Sequence, residues 1–477
     1  MKFPEYETYD ATGLARLVRE KDVSAGELLD AALDRIEARD GKIRAIVKPM
    51  YDQARRAVAA GLPDGPFTGV PFSLKDLGVF AIGTPTTSAN GLFAGLVADH
   101  DSAVVSRYRK AGLVILARTK TPEMGLSITT EPRLYGPTHN PWNLAYSPGG
   151  SSGGASASVA AGYMPMAHAT DGGGSIRVPA AFCGLFGLKP SRGRISAAPD
   201  FGEGLAGMAT NHCVSWSVRD SAALLDVSAG PEPGDPYAAP PLERPLAAEV
   251  GAPPGRLRIA LCTTDFLGNP VDPQCAAAAR DAAALCESLG HHVEEARPDL
   301  GDVSPLEAWR IVPATNLLHV ATARARALGR EINDEDLEPV HRAWMEIARR
   351  TTAADYLKAI SGMHALARRV GAFLERYDLI LTPSTGVPAL KLGAVDTSGA
   401  DAERHIALLF AEIAPHTALF NQTGGAAMSV PLCRTKEGLP LGVHFAGRLG
   451  DEPKLIRLAA QLEEARPWFG IRPTMAW

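Results

Sequence analysis

Between Arg133 and Lys189 the chain carries only two charged residues, Asp171 and Arg177. The heart of that span, Ser147 to Pro190, is rich in Ala, Gly and Ser and is broken repeatedly by Gly and Pro, which rules out a membrane helix. It also holds too much Val, Met, Phe and Leu for a flexible Gly/Ser linker, whose flanks are normally charged and solvated. What remains is a buried centre in which backbone segments approach closely and hydroxyl groups are held away from water. Any fold for this chain has to be built around it.

Two serine clusters punctuate the stretch: Gly149-Gly150-Ser151-Ser152-Gly153-Gly154 and Asp171-Gly172-Gly173-Gly174-Ser175-Ile176-Arg177. Glycines beside a serine allow backbone angles that residues with a Cβ avoid, so that successive N–H groups can converge on one point. An oxyanion hole needs that arrangement. Either cluster alone reads as a tight turn in a core; the pair within one uncharged segment points to a serine-based site. A serine hydroxyl needs a base to become a nucleophile. His168 lies nearby, but its apolar context, MPMAHAT, marks a hydrogen-bonded core residue. Lys75 is the stronger candidate. It ends the apolar strand of GVPFSLKDL, lysine is rarely buried without a partner or a function, and burial favours its neutral, basic form.

The motifs GVPFSLKDL, SPGGSSGGASASVAAG and DGGGSIRVPAAFCGLFGLKPSRGRIS, in this order and spacing, resemble those of the amidase signature hydrolases, and the likeness extends from the N-terminal helices to the PLG-V-F segment near the C-terminus. The elements TTEP (Thr129 to Pro132) and NPWN (Asn140 to Asn143) are similar to those of bacterial members that act on nylon-type oligoamides, xenobiotic amides and urethanes. The resemblance implies that Ser175 is the acyl-forming nucleophile, Ser151 a bridging serine preceded by a cis Gly150–Ser151 bond, and Lys75 the base. It further implies that the N–H groups of Gly172, Gly173, Gly174 and Ser175 form the oxyanion hole. Ser152, Asp171 and Arg177 would brace the loop, and the turn holding Met124 and Gly125 would approach the substrate. Many family members carry an aliphatic residue in the second place of the glycine run, so the bare glycines here make that run looser. The implied fold is α/β, an α/β/α sandwich around a large mixed twisted sheet. It would form one domain over residues 1–477, with N-terminal helices to 60, a catalytic core from 65 to 230 and a helical substrate-side insert from 300 to 376. Amides, linear or cyclic, together with carbamates and esters, are the implied substrates, and no metal or organic cofactor is implied. The same motifs occur in the amidotransferase subunit that completes glutaminyl-tRNA, the alternative reading, and in principle in a catalytically silent relative, which the presence of all three reacting residues disfavours.

Charge sharpens this. The 48 basic and 53 acidic residues are evenly spread, with a net charge of -5, and leave no footprint for nucleic acid. Six cysteines without C-x-x-C spacing or histidine partners read as reduced, mostly buried thiols. MKFPEYETYD has no apolar signal region and no run is apolar enough for a bilayer, so a soluble cytoplasmic protein is expected.

Along the chain, Asp10 is expected to cap a helix through Val18, and Ser24 with Glu27 reads as a capping box. The apolar stripe that follows packs on the domain or on a second copy in a homodimer. A βα pattern runs from the Lys75 strand through a helix ending at Gly112 to Leu113–Leu116. Asp220 is expected to cap a helix through Val227, and the Pro-rich stretch from Pro231 to Pro254 to cross the surface. Strands are expected at Leu257–Cys262, His292–Glu295, Asp378–Thr382, Ala426–Pro431 and Leu441–Phe445. The helix Gln274–Leu289 lies among them, residues 304 to 376 are helical throughout, and Asp451 caps the last helix. His291 and His292 mark a helix end turning into a strand rather than a metal site.

Overall fold

Apolar runs become strands here because both faces of the sheet are covered. The computed structural model describes residues 3–474. In it β1 (Ile46–Pro49), β2 (Pro71–Lys75) and β3 (Val114–Thr119) form one ladder in the order β1-β3-β2. β2 is parallel to β3 across the helix Ala103–Lys110, the expected βα unit. The second ladder comprises β4 (Met166–Asp171), β5 (Phe186–Lys189), β6 (Thr210–Ser215), β7 (Arg258–Leu261), β8 (His292–Glu295), β9 (Leu379–Pro383), β10 (Ala427–Arg434) and β11 (Pro440–Ala446). Its order is β4-β6-β5-β10-β11-β9-β7-β8. From β4 to β9 neighbours are antiparallel, and β9-β7-β8 are parallel, so the sheet is mixed.

β2 and β4 lie side by side and join the two ladders. A side chain bridges the seam. The Lys75 N–H donates to His168 Nδ1 (3.2 Å), and His168 Nε2 meets Asn211 Oδ1 at 3.1 Å. A ring that accepts at Nδ1 and donates at Nε2 is neutral, and burial pushes His168 down to about 3. His168 is therefore a core residue that fixes the end of the lysine strand.

The N-terminal helices begin as read. Asp10 accepts from the Gly13 N–H at the start of Ala11–Glu20, and Ser24 with Glu27 forms the capping box of Ala25–Ile43. Asp220 departs from expectation. Ser217 caps the helix Val218–Ser228, accepting from the Asp220 N–H (3.3 Å). The Asp220 carboxylate reaches away to take the Ala11 and Thr12 N–H groups at 2.7 and 2.9 Å. It covers the orphan donors of a helix some 200 residues earlier, a partner that local sequence cannot display. Asp451, before the last helix Glu452–Ala465, makes no side-chain cap and accepts instead from the Arg448 N–H (2.8 Å).

The segment after residue 304 is three helices, Pro305–Ala327, Pro339–Arg350 and Ala353–Leu374, rather than helix throughout. The breaks lie at 328–338, where Gly329 takes φ 67°, and at Thr351 and Thr352, where Thr352 caps the third helix. Their apolar faces share a core with Ile128 and with Val178 and Phe182 of the glycine-rich centre, with Trp344 fully buried inside it. All six cysteines are free thiols, Cys433 alone being part-exposed. Among the described residues no helix is long and apolar enough to cross a membrane.

Candidate active site

Lys75 ends β2 with its side chain wholly shielded from solvent. Its Nζ donates to two hydroxyls, Ser151 Oγ at 2.7 Å and Thr170 Oγ1 at 2.8 Å. Burial pushes the Lys75 ammonium down to about 7, with the Asp171 carboxylate pulling partly the other way. Ser151 follows Gly150 across a cis peptide bond, as the family resemblance implied. Only glycine fits before it, since a Cβ on Gly150 would lie 2.8 Å from the Ser127 carbonyl oxygen. Ser152 ties the two serine clusters together. Its N–H donates to the Ser175 carbonyl (3.3 Å), and its hydroxyl donates to the Thr170 carbonyl (3.2 Å).

The glycine run leaves β4 at Asp171, whose carboxylate holds the loop from within. Oδ1 accepts from the Gly174 N–H (2.7 Å) and Oδ2 from the Ile176 N–H (3.1 Å). Arg177 donates Nε to Oδ2 (3.0 Å) and Nη2 to Oδ1 (2.9 Å). Burial by itself would raise the Asp171 carboxyl, but Arg177 and the Asn421 amide more than reverse this and hold it well below the usual carboxylate range. Thr417 Oγ1 donates to the Gly173 carbonyl at 2.9 Å, and a Cβ on Gly174, at φ 133°, would lie 2.4 Å from that same oxygen. Asp171 and Arg177 thus tie the loop together from within.

One expected oxyanion donor is withdrawn. The Gly174 N–H points inward to Asp171, because the carboxylate that fixes the loop needs that donor, and it is not free for a substrate oxygen. The N–H groups of Gly172, Gly173 and Ser175 have no partner among the described residues. Ser175 is half-buried, and its hydroxyl makes no hydrogen bond to the described residues. Of the expected relay, the link from Lys75 to Ser151 is formed and the link from Ser151 to Ser175 is open.

The turn Glu123–Gly125 stands in front of Ser151: a Cβ on Gly125 would lie 3.3 Å from Ser151 Oγ. Met124, at φ 51°, packs its side chain on the helical-layer core. Glu123 is a residue that sequence reasoning passed over. Its Oε2 accepts from the Glu338 N–H (2.9 Å) and meets His341 Nδ1 at 2.5 Å, while Oε1 accepts from Asn90 Nδ2 (3.0 Å). Burial disfavours the His341 imidazolium, and Glu123 more than restores it. Glu123, Glu338 and His341 are the one group among the described residues with donor atoms spaced for a metal, within 4.8 Å of one another. Those atoms are already engaged with one another and with the Asn90 amide and the Arg133 N–H, so the cluster works as a fastener between the helical layer and the turn before Ser151. Two aromatic residues were also missed. Phe410 and Trp309, stacked at 4.3 Å, touch the glycine run, a Cβ on Gly173 falling 2.8 and 2.9 Å from their rings.

The amidase family profile matches residues 27–456. A 6-aminohexanoate-cyclic-dimer hydrolase from Pseudomonas sp. (strain NK87) is 40% identical over 477 residues, covering 98% of this chain and 96% of its own. An acylamidase from Rhodococcus erythropolis is 35% identical, with 97% and 96% covered. Among solved structures, that of a 6-aminohexanoate cyclic dimer hydrolase superposes with a TM-score of 0.94 at 38% identity, covering 98% of this chain and 99% of that one. A lysine strand, a GGSSGG turn and a braced glycine run, brought together where two ladders meet, and the match along nearly the full length mark one conclusion: the chain belongs to the amidase signature family of hydrolases.

Proposed function

We propose that this amidase works through a Ser175–Ser151–Lys75 relay and an acyl-enzyme. The observation that carries the reading is the 2.7 Å bond between the shielded Lys75 Nζ and Ser151 Oγ, beside the loop that presents Ser175. Neutral Lys75 takes the Ser151 proton as Ser151 takes that of Ser175, and Ser175 Oγ bonds to the amide carbonyl carbon. The negative charge that develops on the carbonyl oxygen is met by the free N–H groups of Gly172, Gly173 and Ser175. The C–N bond then breaks, the amine leaving with the proton returned through Ser151. Water repeats the cycle against the acyl-Ser175 ester, releasing the acid and restoring all three side chains.

The substrates we assign are uncharged amides of small or oligomeric size, including nylon-type oligoamides. The support is the identity with the cyclic-dimer hydrolase across almost the whole of both chains. Carbamates and esters offer the same acyl carbon and extend the assignment. The test is purified chain, without partners, on a panel holding the cyclic 6-aminohexanoate dimer, acyl anilides and a matched carbamate and ester. Hydrolysis by the lone chain, absent in a folded Ser175→Ala variant, is expected. Activity only in a heteromeric complex would instead support the amidotransferase-subunit reading, and activity surviving in Ser175→Ala would overturn the relay.

A further inference from the structure

Gly172 and Ser175 of the glycine run are half-buried, and the side chains nearest Gly172 and Gly173 are apolar. A Cβ on Gly172 would lie 3.0 Å from Leu205 Cδ1, and one on Gly173 would lie 2.8 Å from Phe410 Cε1 and 2.9 Å from the Trp309 ring. Leu205, Phe410, Gly172 and Ser175 are all half-buried, whereas Trp309 behind them is buried. These side chains belong to one apolar cluster with Met208 and Met363. The two half-buried side chains of this cluster that lie against the glycines, Leu205 and Phe410, stand on unusual backbone. Leu205 and its neighbour Ala206 take φ 51° and 53°, and Phe410 lies in the π-helical turn Leu408–Ile413. Non-glycine residues in the left-handed region and π-turns are costly locally and gather where a side chain must be aimed at a ligand.

Chemistry decides what meets this wall. In the tetrahedral state the acyl carbon bears four groups: Ser175 Oγ, the oxyanion, the leaving amine and the acyl remainder. The oxyanion faces the free N–H groups of the run. The amine takes its proton from Ser151, so it lies on the side of Ser151 and Gly125. The acyl remainder is left to pass along the other side of Gly172 and Gly173. We propose that Leu205, Phe410 and Trp309 form the acyl pocket, which selects amides whose acyl half is an uncharged aliphatic chain or aryl ring and rejects those with a charge near the carbonyl. This rests on the Ser175 assignment above. An apolar wall gains from each buried methylene and leaves a carboxylate desolvated without a partner.

The test is a series of p-nitroanilides with acetyl, hexanoyl, benzoyl and succinyl groups, and a second series with a fixed acetyl group and varied amines. Wild-type kcat/KM is expected to favour hexanoyl and benzoyl over acetyl, with succinyl poorest. In Phe410→Ala and, independently, Leu205→Ala, the hexanoyl-to-acetyl ratio should fall about tenfold or more, the range expected for a hydrophobic pocket that loses a wall. The ranking of amines should stay as in wild type. Equal losses for every acyl group, a change that follows the amine, or a wild-type preference for succinyl would each overturn the pocket. Sulfonyl fluoride labelling of Ser175 separates the two readings: a labelled wild type with a flat acyl profile ends the pocket alone, whereas an unlabelled Ser175 ends the relay itself. Should one variant fail to fold, the wild-type acyl ranking and the other variant still decide.

Discussion

Three lysines are buried among the described residues, and only one of them is placed to act as a base. Lys75 and Lys189 share one environment in the crude sense, since burial pushes each ammonium down to about 7. Lys120 is pushed down to about 8. Their partners differ in kind. Lys189 Nζ donates to the Pro190 carbonyl (2.8 Å), and Lys120 Nζ to the carbonyls of Tyr135, Gly136 and Pro137 at 3.2 to 3.3 Å. A carbonyl can only accept, so those lysines can do no more than donate. Lys75 faces two hydroxyls, which both accept and donate. When Lys75 is neutral its lone pair can draw the Ser151 proton, and Ser151 can draw another. Burial sets when a lysine becomes neutral, and the neighbour decides whether that matters for chemistry.

The strongest way to break the comparison is substitution. Lys75→Met should lower amide kcat/KM by about 10²- to 10⁴-fold, the usual worth of a positioned general base, measured by steady-state kinetics. Gly174→Ala comes next, because its Cβ would strike Thr417 Oγ1 and displace the loop proposed to hold the oxyanion. Losing one oxyanion donor typically costs about 10²- to 10³-fold in kcat, with the fold intact by circular dichroism. A pH profile sharpens the comparison further. In the proposed relay the neutral form of Lys75 is the active one and its fraction grows with pH, so kcat/KM should climb and level off above about 7. In Lys189→Met that rising limb should remain, since the lost amine's hydrogen bond is to a carbonyl and not to a hydroxyl of the relay. Thr170→Val should have the smallest effect on rate, through one lost hydrogen bond to Nζ worth about 1 kcal/mol.

What could be read from the sequence was what local chemistry carries. An uncharged run with two glycine-flanked serines and an apolar strand ending in lysine is visible without coordinates, as are the capping box at Ser24 and most strands. What was hidden depended on partners far along the chain or on which way a peptide group points. Asp220 satisfies a helix that begins at Ala11, and Asn421 and Thr417 hold a loop some 240 residues earlier. No pattern around Glu123 announces His341, because the pair exists only once the helical layer has docked. The family resemblance gives the Gly174 N–H to the substrate, and its acceptor in the fold is the side chain of Asp171 three residues before it. Trp309 could not be told from an ordinary core aromatic until Gly173 was found against its ring.

Whether a neutral Lys75 activates Ser175 through Ser151 is decided by the pH dependence of sulfonyl fluoride inactivation, with the adduct located by mass spectrometry. The account predicts an adduct on Ser175 alone, formed at a rate that rises with pH to a plateau above about 7, and loss of that rise in Lys75→Met. A rate flat across pH, an adduct on Ser151, or a Lys75→Met protein that keeps the same limb would contradict it.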